Sequence, residues 1–455
     1  MRRKKGGSSF GVLFLFALII GGVLYIYNSA MFERDAPKIT MQNNGYWNLK
    51  KPLKISIDDV SGLKSYKIVL KNNGERQILQ NEQFITPEKS LHVEVAPPKS
   101  AYAMKTKDIV ISIEATDASR WNMFNGNSAK VEYKLKIDKK RPQLSIVANS
   151  YKIKKGGAAI VVFEVKDDNL KNLYIQTNFG KKFQVTPFYK DGYYISLLAW
   201  PVTQNSFRAT VVATDEAQNI AKTYIPLYIK DKKYRISHIK LSDKFLNGKI
   251  AQLAEEFAET NGVTDKIEQF KIINEEVRAK NEKLIHEITS KVPTEMIKDF
   301  KIKKMYPLKN AAIVAHFGDH RLYSYQGDEV SESYHLGLDM ASNAMAKIKP
   351  QNAGDVVFAD YNGLYGNMPI IHHGLGLYTL YGHCSSLNVA SGDSIRAKAH
   401  IANTGKTGYA MGDHLHFGVL IQGIEVRPAE WMDTQWMKLN ISDIIKDAKK
   451  IIDRG

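Results

Sequence analysis

His414-Leu415-His416-Phe417-Gly418-Val419-Leu420 sets two imidazoles one residue apart at the head of an alternating run. In an extended strand residues i and i+2 point to the same face, so both rings are expected to project together into one cleft with Leu415 behind them. Two ordinary structural histidines have the same spacing, and the pair alone does not separate the readings. Leu380-Tyr381-Gly382-His383 repeats the pattern, with Tyr381 and His383 on one predicted strand face. Tyr334-His335-Leu-Gly337-Leu-Asp339 places an imidazole and a carboxylate four apart, separated by a flexible glycine, so that both can turn inward onto one ion. Nine of the twelve histidines lie between His316 and His416, which concentrates the chemistry in the last third of the chain.

Together the three segments describe a catalytic metal site. His335, Asp339 and one of the His414/His416 pair would fill three positions of a tetrahedral Zn²⁺ shell and leave the fourth open for water. Zinc lowers the pKa of its water to about 7, and a nearby imidazole can take the proton. The chain has no HExxH, so the base must be histidine rather than the glutamate of helical zinc proteases. Its single cysteine, Cys384, excludes a cysteine-based metal site and an intramolecular disulfide.

At this point the residues match a known family. The stretch from Ala315 to Val419 closely resembles the lysostaphin/LytM-type zinc peptidases. Tyr334 to Asp339 is similar to the family's GxHxGxD motif, His373-Gly-Leu-Gly-Leu-Tyr-Thr-Leu-Tyr-Gly-His383 to its HG.G..TLYGH strand, Val389 to Gly408 to its glycine-punctuated stretch, and His414 to Phe417 to its HLHF. The resemblance implies zinc on His335, Asp339 and His416. It implies that His383 and His414 position or deprotonate the attacking water and stabilise the tetrahedral intermediate, and that His373 is structural. His372 and His400 have no motif support. Phe317-Gly318-Asp-His-Arg321 resembles the family's FGxR entry strand with one extra residue, which brings in Arg321. An antiparallel β-sheet core with the site in a groove is the implied fold of the segment 305–435.

The rest of the chain gives a mainly β, multidomain expectation. Arg2, Arg3, Lys4 and Lys5 form a cytoplasmic basic tail (1–9) ahead of the uncharged apolar run Phe10 to Tyr27, so segment 10–28 reads as a transmembrane signal anchor with the body outside the cytoplasm. A cleaved signal peptide is the competing reading, and Asn28-Ser29-Ala30 is a poor site for it. Segments 36–138 and 141–231 alternate apolar and polar residues and repeat each other. Ala36-Pro37-Lys-Ile39 answers Arg141-Pro142-Gln-Leu144, and Ala115-Thr-Asp-Ala118 answers Ala213-Thr-Asp-Glu-Ala217, at offsets near 100 residues. Two tandem Ig-like β-sandwiches are expected, as spacers or as a surface for a protein partner. Segment 242–300 reads as a helical linker, with Asp265 and Glu268 at a cap and Ile267, Phe270, Ile273, Val277, Leu284 and Ile288 near one stripe. Segment 437–455 reads as an amphipathic helix with Ile441, Ile444, Ile445, Ala448 and Ile452 on one side.

The net charge of +17 favours an anionic partner. Without a zinc-finger, RNP or helix-turn-helix pattern, nucleic acid is not expected. The whole reads as a single-pass protein of a bacterial inner membrane, its body in the periplasm or facing the wall, that cuts peptidoglycan cross-links as a D,D-endopeptidase. A non-hydrolytic activator of cell-wall amidases, or a peptidoglycan-binding scaffold, is the alternative.

Overall fold

The computed structural model describes residues 9–42, 44–99, 104 and 106–454; the basic tail Arg2 to Lys5 lies outside them. Ser9–Asn28 is one helix of 20 residues without a charged side chain. At 1.5 Å per residue it is about 30 Å long, the thickness of a bilayer's hydrocarbon. By length and composition it can cross a membrane, a test that a signal sequence near an N-terminus also passes. The chain divides into two compact units: Met1–Arg141 with Asn169–Lys171 and Thr214–Ile220, and Pro142–Asp168 with Asn172–Ala213 and Ala221–Gly455.

The first unit is built on a long hairpin, Leu53–Asn72 and Glu75–Val95, closed by Asn73 and Gly74, both at positive φ. Two successive left-handed residues give the tight turn whose twist matches a hairpin, and Asn-Gly adopts it readily. Leu53–Asn72 changes partner along its length. Ile55 to Asp58 pairs with Lys38–Met41, Leu63 to Lys71 pairs with Asp108–Asp117, and the register breaks between Asp58 and Leu63. All six strands therefore join in one connected sheet, where the Ig-like expectation has two separately ordered ones. The two hairpin strands are roughly three times the usual length, so a single strand spans what two would. Ile55, Ile57, Leu63, Ile68 and Leu70 are buried with Ile111 and Ile113.

The second unit contains two four-stranded sheets, one of them ordered Thr186–Pro187, Tyr193–Ala199, Ala158–Lys166, Gln143–Asn149. Ala158–Lys166 is nearly continuously apolar, and every residue from Ala158 to Phe163 is buried. Such a strand needs cover on both faces. The C-terminal helix Asp443–Arg454 packs against it and against Gln143–Asn149, burying Ile445, Ala448 and Ile452. Ser150 Oγ donates to Asn440 O (2.8 Å) and Tyr189 OH to Asp453 Oδ2 (2.9 Å) along the same seam.

Ser242 and Asp265 cap the helical stretches 243–256 and 266–288, each accepting a backbone N–H three residues on. The second stretch contains a π-turn, Ile273–Val277, which adds one residue to the helical count. The apolar stripe therefore slips by one position beyond it. Ile285 is buried (1% exposed) and Leu284 faces out (40%), where the uniform spacing had predicted Leu284 inside. Ile285 packs with Tyr365, Met368, Ile370, Tyr378, Leu380 and Leu420.

The last sheet is antiparallel, in the order Ala312–Ala315, Leu338–Ala341, Leu415–Ile421, Leu377–Gly382, Asn367–His372, Gly354–Tyr361, Ser394–Ile395. Leu415–Ile421 and Leu377–Gly382 are buried along their whole lengths. A smaller sheet lays Ile236–Lys240 parallel to His320–Tyr325, which pairs in turn with Asp328–Tyr334.

The slipped stripe has a measurable consequence. Ile285→Ala is expected to destabilise the chain by about 2–4 kcal/mol through the cavity it leaves. Leu284→Ala should stay within about 0.5 kcal/mol. Urea unfolding followed by tryptophan fluorescence reads both, and equal losses would contradict the phase shift.

Candidate metal centre

Two adjacent strands set the centre. Leu338–Ala341 pairs with Leu415–Ile421 so that Asp339 lies opposite His416. Side chains directly opposite on one face have Cβ atoms about 5 Å apart, within reach of a shared ion. His335 enters from the turn before Leu338–Ala341. Its backbone N–H donates to Asp319 O and its Nδ1 to His316 O, both at 2.9 Å. A carbonyl only accepts, so Nδ1 carries the hydrogen and Nε2 is bare toward the strand pair. Gly337 is needed for space rather than for flexibility: a Cβ there would lie 2.4 Å from the His416 ring.

The three donor atoms converge. His335 Nε2 is 3.0 Å from Asp339 Oδ1 and 3.2 Å from His416 Nδ1, and His416 Nδ1 is 2.9 Å from Asp339 Oδ1. Two nitrogens and an oxygen bound to one tetrahedral zinc would stand about 3.3 Å apart. Donor set and spacing both fit such an ion. Burial pushes the Asp339 carboxyl up, but His335 and His416 outweigh it and hold the group well below the usual carboxylate range. Burial pushes His416 down, against the pull of Asp339.

Two more imidazoles face the same space. Leu377–Gly382 ends with Gly382 opposite His416, and His383 follows in the left-handed region with φ of 65°. The chain turns there, so Tyr381 and His383 do not share the strand face that the spacing predicted. Tyr381 is buried against Phe417 (ring centroids 5.6 Å), its OH hydrogen-bonded to Thr379 Oγ1 (2.8 Å), whereas His383 turns into the cavity. His383 donates through its backbone N–H to Tyr365 O (2.8 Å) and through Nδ1 to Thr407 O (2.9 Å); His414 Nδ1 donates to Gly412 O (2.8 Å). Each therefore keeps a bare Nε2. That of His414 is 3.7 Å from Asp339 Oδ2, and the two rings are 4.8 Å apart. Burial, then the neighbouring His416 and His414, pushes His383 down to about 3, which leaves the ring neutral with Nε2 free to accept a hydrogen bond.

The structure thus brings together His335, Asp339, His383, His414 and His416 on one groove of about 570 Å³. Arg321 lines the same groove, its Nε 3.5 Å from Asp319 Oδ2. Tyr381 does not line it. His373 is held in the core by Ala353 O (2.8 Å) and Thr379 Oγ1 (2.7 Å), and burial pushes it down to about 4. His372 stacks on Tyr378, and His400 bonds Asn388 and Asn403.

Several residues beside the centre carry no sequence signal. Tyr365 stands edge-on to His416 with centroids 5.5 Å apart. The helix Arg278–Ile288 holds the turn that presents it. Asn281 Oδ1 accepts from Leu364 N (2.9 Å), and Glu282 is hydrogen-bonded to the Tyr365 hydroxyl. Burial pushes the Glu282 carboxyl up to about 7, so it shares in that bond without a full charge at neutral pH. Phe245 stacks on Tyr409 at 6.1 Å, and the Arg278 guanidinium lies 5.9 Å from the same ring, so the helical stretches wall one side of the groove. In the sequence Asn281 and Glu282 lie within Lys280-Asn281-Glu282-Lys283, which reads as a solvated face.

Comparison with known proteins follows this geometry. The chain is 35% identical over 94 residues to the DD-carboxypeptidase/endopeptidase Mpg of Neisseria meningitidis serogroup B, 21% of this chain and 22% of that protein. It is 31% identical over 96 residues to the murein hydrolase activator EnvC of Escherichia coli, 21% of this chain and 23% of that one. A crystal structure of a zinc containing peptidase from Vibrio cholerae is similar at a TM-score of 0.27 and 13% identity, over 77% of this chain and 87% of the other. The chain spans about a fifth of the length of these two curated relatives. Residues 333–428, which hold all five groups of the centre, match Peptidase family M23, and the chain therefore carries a domain of that family.

Proposed function

We propose that this chain is a zinc metalloendopeptidase that hydrolyses peptide cross-links of bacterial peptidoglycan, a D,D-endopeptidase held at the inner membrane by Ser9–Asn28 with its body in the periplasm or facing the wall. The observation that carries the reading is the convergence of His335 Nε2, Asp339 Oδ1 and His416 Nδ1 within 3.2 Å of one another, beside two further imidazoles with bare Nε2 atoms. The similarity to Mpg, a DD-carboxypeptidase/endopeptidase, supports the choice of bond.

His335, Asp339 and His416 would hold the ion. A zinc ion bound there supplies Lewis acidity, lowering the pKa of a bound water and polarising the scissile carbonyl. His383, neutral at physiological pH, presents a bare Nε2 that accepts a hydrogen bond from the attacking water and positions it. His414, its Nδ1 proton fixed on Gly412 O, presents Nε2 on the same side, where in its protonated form it donates to the developing oxyanion or the leaving amine. Tyr365 and the Thr407 carbonyl keep the rings in place. The Ig-like reading of the second β module remains part of this proposal, and the two modules together would set reach from the membrane.

Zinc content and muropeptide release by the full chain in detergent test the reading. About one zinc per chain is expected, with cross-linked dimers converted to monomers. His416→Ala should lose both. His383→Ala should keep the metal and lose about 10²–10⁴-fold in rate. Zinc binding with no release of fragments from any cross-linked substrate would favour the activator or scaffold reading, EnvC being a murein hydrolase activator.

Gly337 offers a sharper check, because it donates nothing to the ion. Gly337→Ala is expected to push the His416 ring aside and lower zinc affinity about 10–100-fold, with the unfolding transition nearly unchanged. Unaltered affinity by competition with a chelating dye would contradict the packing argument.

A further inference from the structure

A second groove, of about 700 Å³, adjoins the catalytic one and shares Ile239, Val314, Ala315 and Arg321 with it. Its charge is one-sided. Lys232, Lys233, Arg235, Arg321 and Arg427 line it, against a single carboxylate, Asp319. Asp319 is already engaged by Ser237 Oγ (2.7 Å) and by Arg321 Nε (3.5 Å). Among the described residues Lys232, Lys233, Arg235 and Arg427 have no carboxylate within 4.0 Å. Burial lowers the Lys232 ammonium, and the nearby cations Arg427 and Lys154 lower it further. Glu430, which also acts on Lys232, is turned inward to Ala158 N (3.1 Å), and burial pushes it up to about 7. Unpaired like charges crowded on one wall are unfavourable unless an anion joins them.

The crowding is built into the backbone. Tyr234 is wedged between two glycines: a Cβ at Gly156 would lie 2.2 Å from its hydroxyl, and one at Gly318 would lie 2.2 Å from its ring. Its OH donates to Lys155 O (2.7 Å), and Phe317 meets it edge-on at 5.9 Å. Arg427 N donates to Gly156 O (2.7 Å), and His320 N to Arg235 O (2.9 Å). The backbone of segment 232–235 is therefore held on both sides in advance of any ligand. The segment lies outside residues 333–428, so the family match does not account for it.

We propose that this cationic groove is a second substrate site, which takes the carboxylates of an acidic peptide strand whose scissile bond lies in the adjoining catalytic groove. The shared wall fixes the path. His316, whose carbonyl orients the His335 ring, lies on the second groove, and Val314 and Ala315 lie on both. A peptide crossing the edge of Ala312–Ala315 passes from the cations to the metal centre. Cations carried on a backbone that is already held give such a strand affinity and direction. The inference rests on the peptidase reading for the cleavage step, but not for binding.

The test compares the full chain in detergent with a Lys233→Gln/Arg235→Gln/Arg427→Gln variant. Each is given a cross-linked muropeptide dimer and the same dimer with its carboxylates amidated. The expected result is a KM about tenfold higher in the variant for the acidic dimer, with kcat within about twofold, the size of one lost charge-assisted contact. The amidated dimer should show the raised KM already with the unmutated chain and no further change in the variant. Equal effects on both dimers, or none, would overturn the proposal. If neither protein cleaves, fluorescence anisotropy of labelled acidic dimer separates the two claims. Binding weakened about tenfold in the variant supports the groove while the peptidase reading fails, and unchanged binding overturns the groove as well. Weaker binding of the variant to phosphatidylglycerol vesicles, with dimer binding intact, would make the patch a membrane contact and also overturn it.

Discussion

One antiparallel register, Asp339 opposite His416, is what the rest of the second unit is arranged to keep. A slip by a single residue would turn every side chain of Leu415–Ile421 to the other face and carry His416 away from Asp339. The strand is guarded against that slip by burial along its whole length and by pairing on both edges. Glycines make room on either side of the histidine. Gly337 leaves space for the ring, and Gly382, opposite it across the other ladder, leaves the floor open.

A buried carboxylate with imidazole nitrogens around one point is costly unless a cation or shared protons satisfy it. The fold meets that cost with backbone carbonyls, which take the outer Nδ1–H of His335, His383 and His414 and so fix three tautomers at once. Carbonyl partners of this kind orient a metal ligand as firmly as a second ring of side chains does. The helix Arg278–Ile288 adds a further support, through the turn that carries Tyr365. It is thus part of the site's scaffold as well as a connection between segments.

The residues that meet at the centre were legible because their spacing has a direct geometric meaning. An i, i+2 pair on a strand and a histidine four before an aspartate both have few ways to converge. Tyr381 misled for the same reason: the two-residue period holds only while the strand lasts, and it stops at Gly382. Leu284 misled because a π-turn leaves no mark in the pattern of apolar residues. Asn281, Glu282 and the cations of segment 232–235 were illegible for a different reason. A charged side chain on a predicted surface and one that faces a groove read alike, and only tertiary placement tells them apart. The length of the first hairpin's strands also escaped notice, because bulges interrupt the alternation between Asp58 and Leu63.

The seam between the second β module and the catalytic sheet is internal to one body. Gln422 Oε1 accepts from Gln184 N (2.7 Å), Glu430 Oε2 from Ala158 N (3.1 Å), and Arg427 N reaches Gly156 O (2.7 Å). Polar groups matched in this way across a dry seam have no other partners to turn to. The boundary that composition suggests near residue 242 falls inside the second compact unit. A fragment beginning at residue 305 would present a torn edge, with Glu430 and Gln422 stranded on an apolar face. In this chain the catalytic sheet and the second β module are matched face to face, so neither presents a finished surface without the other.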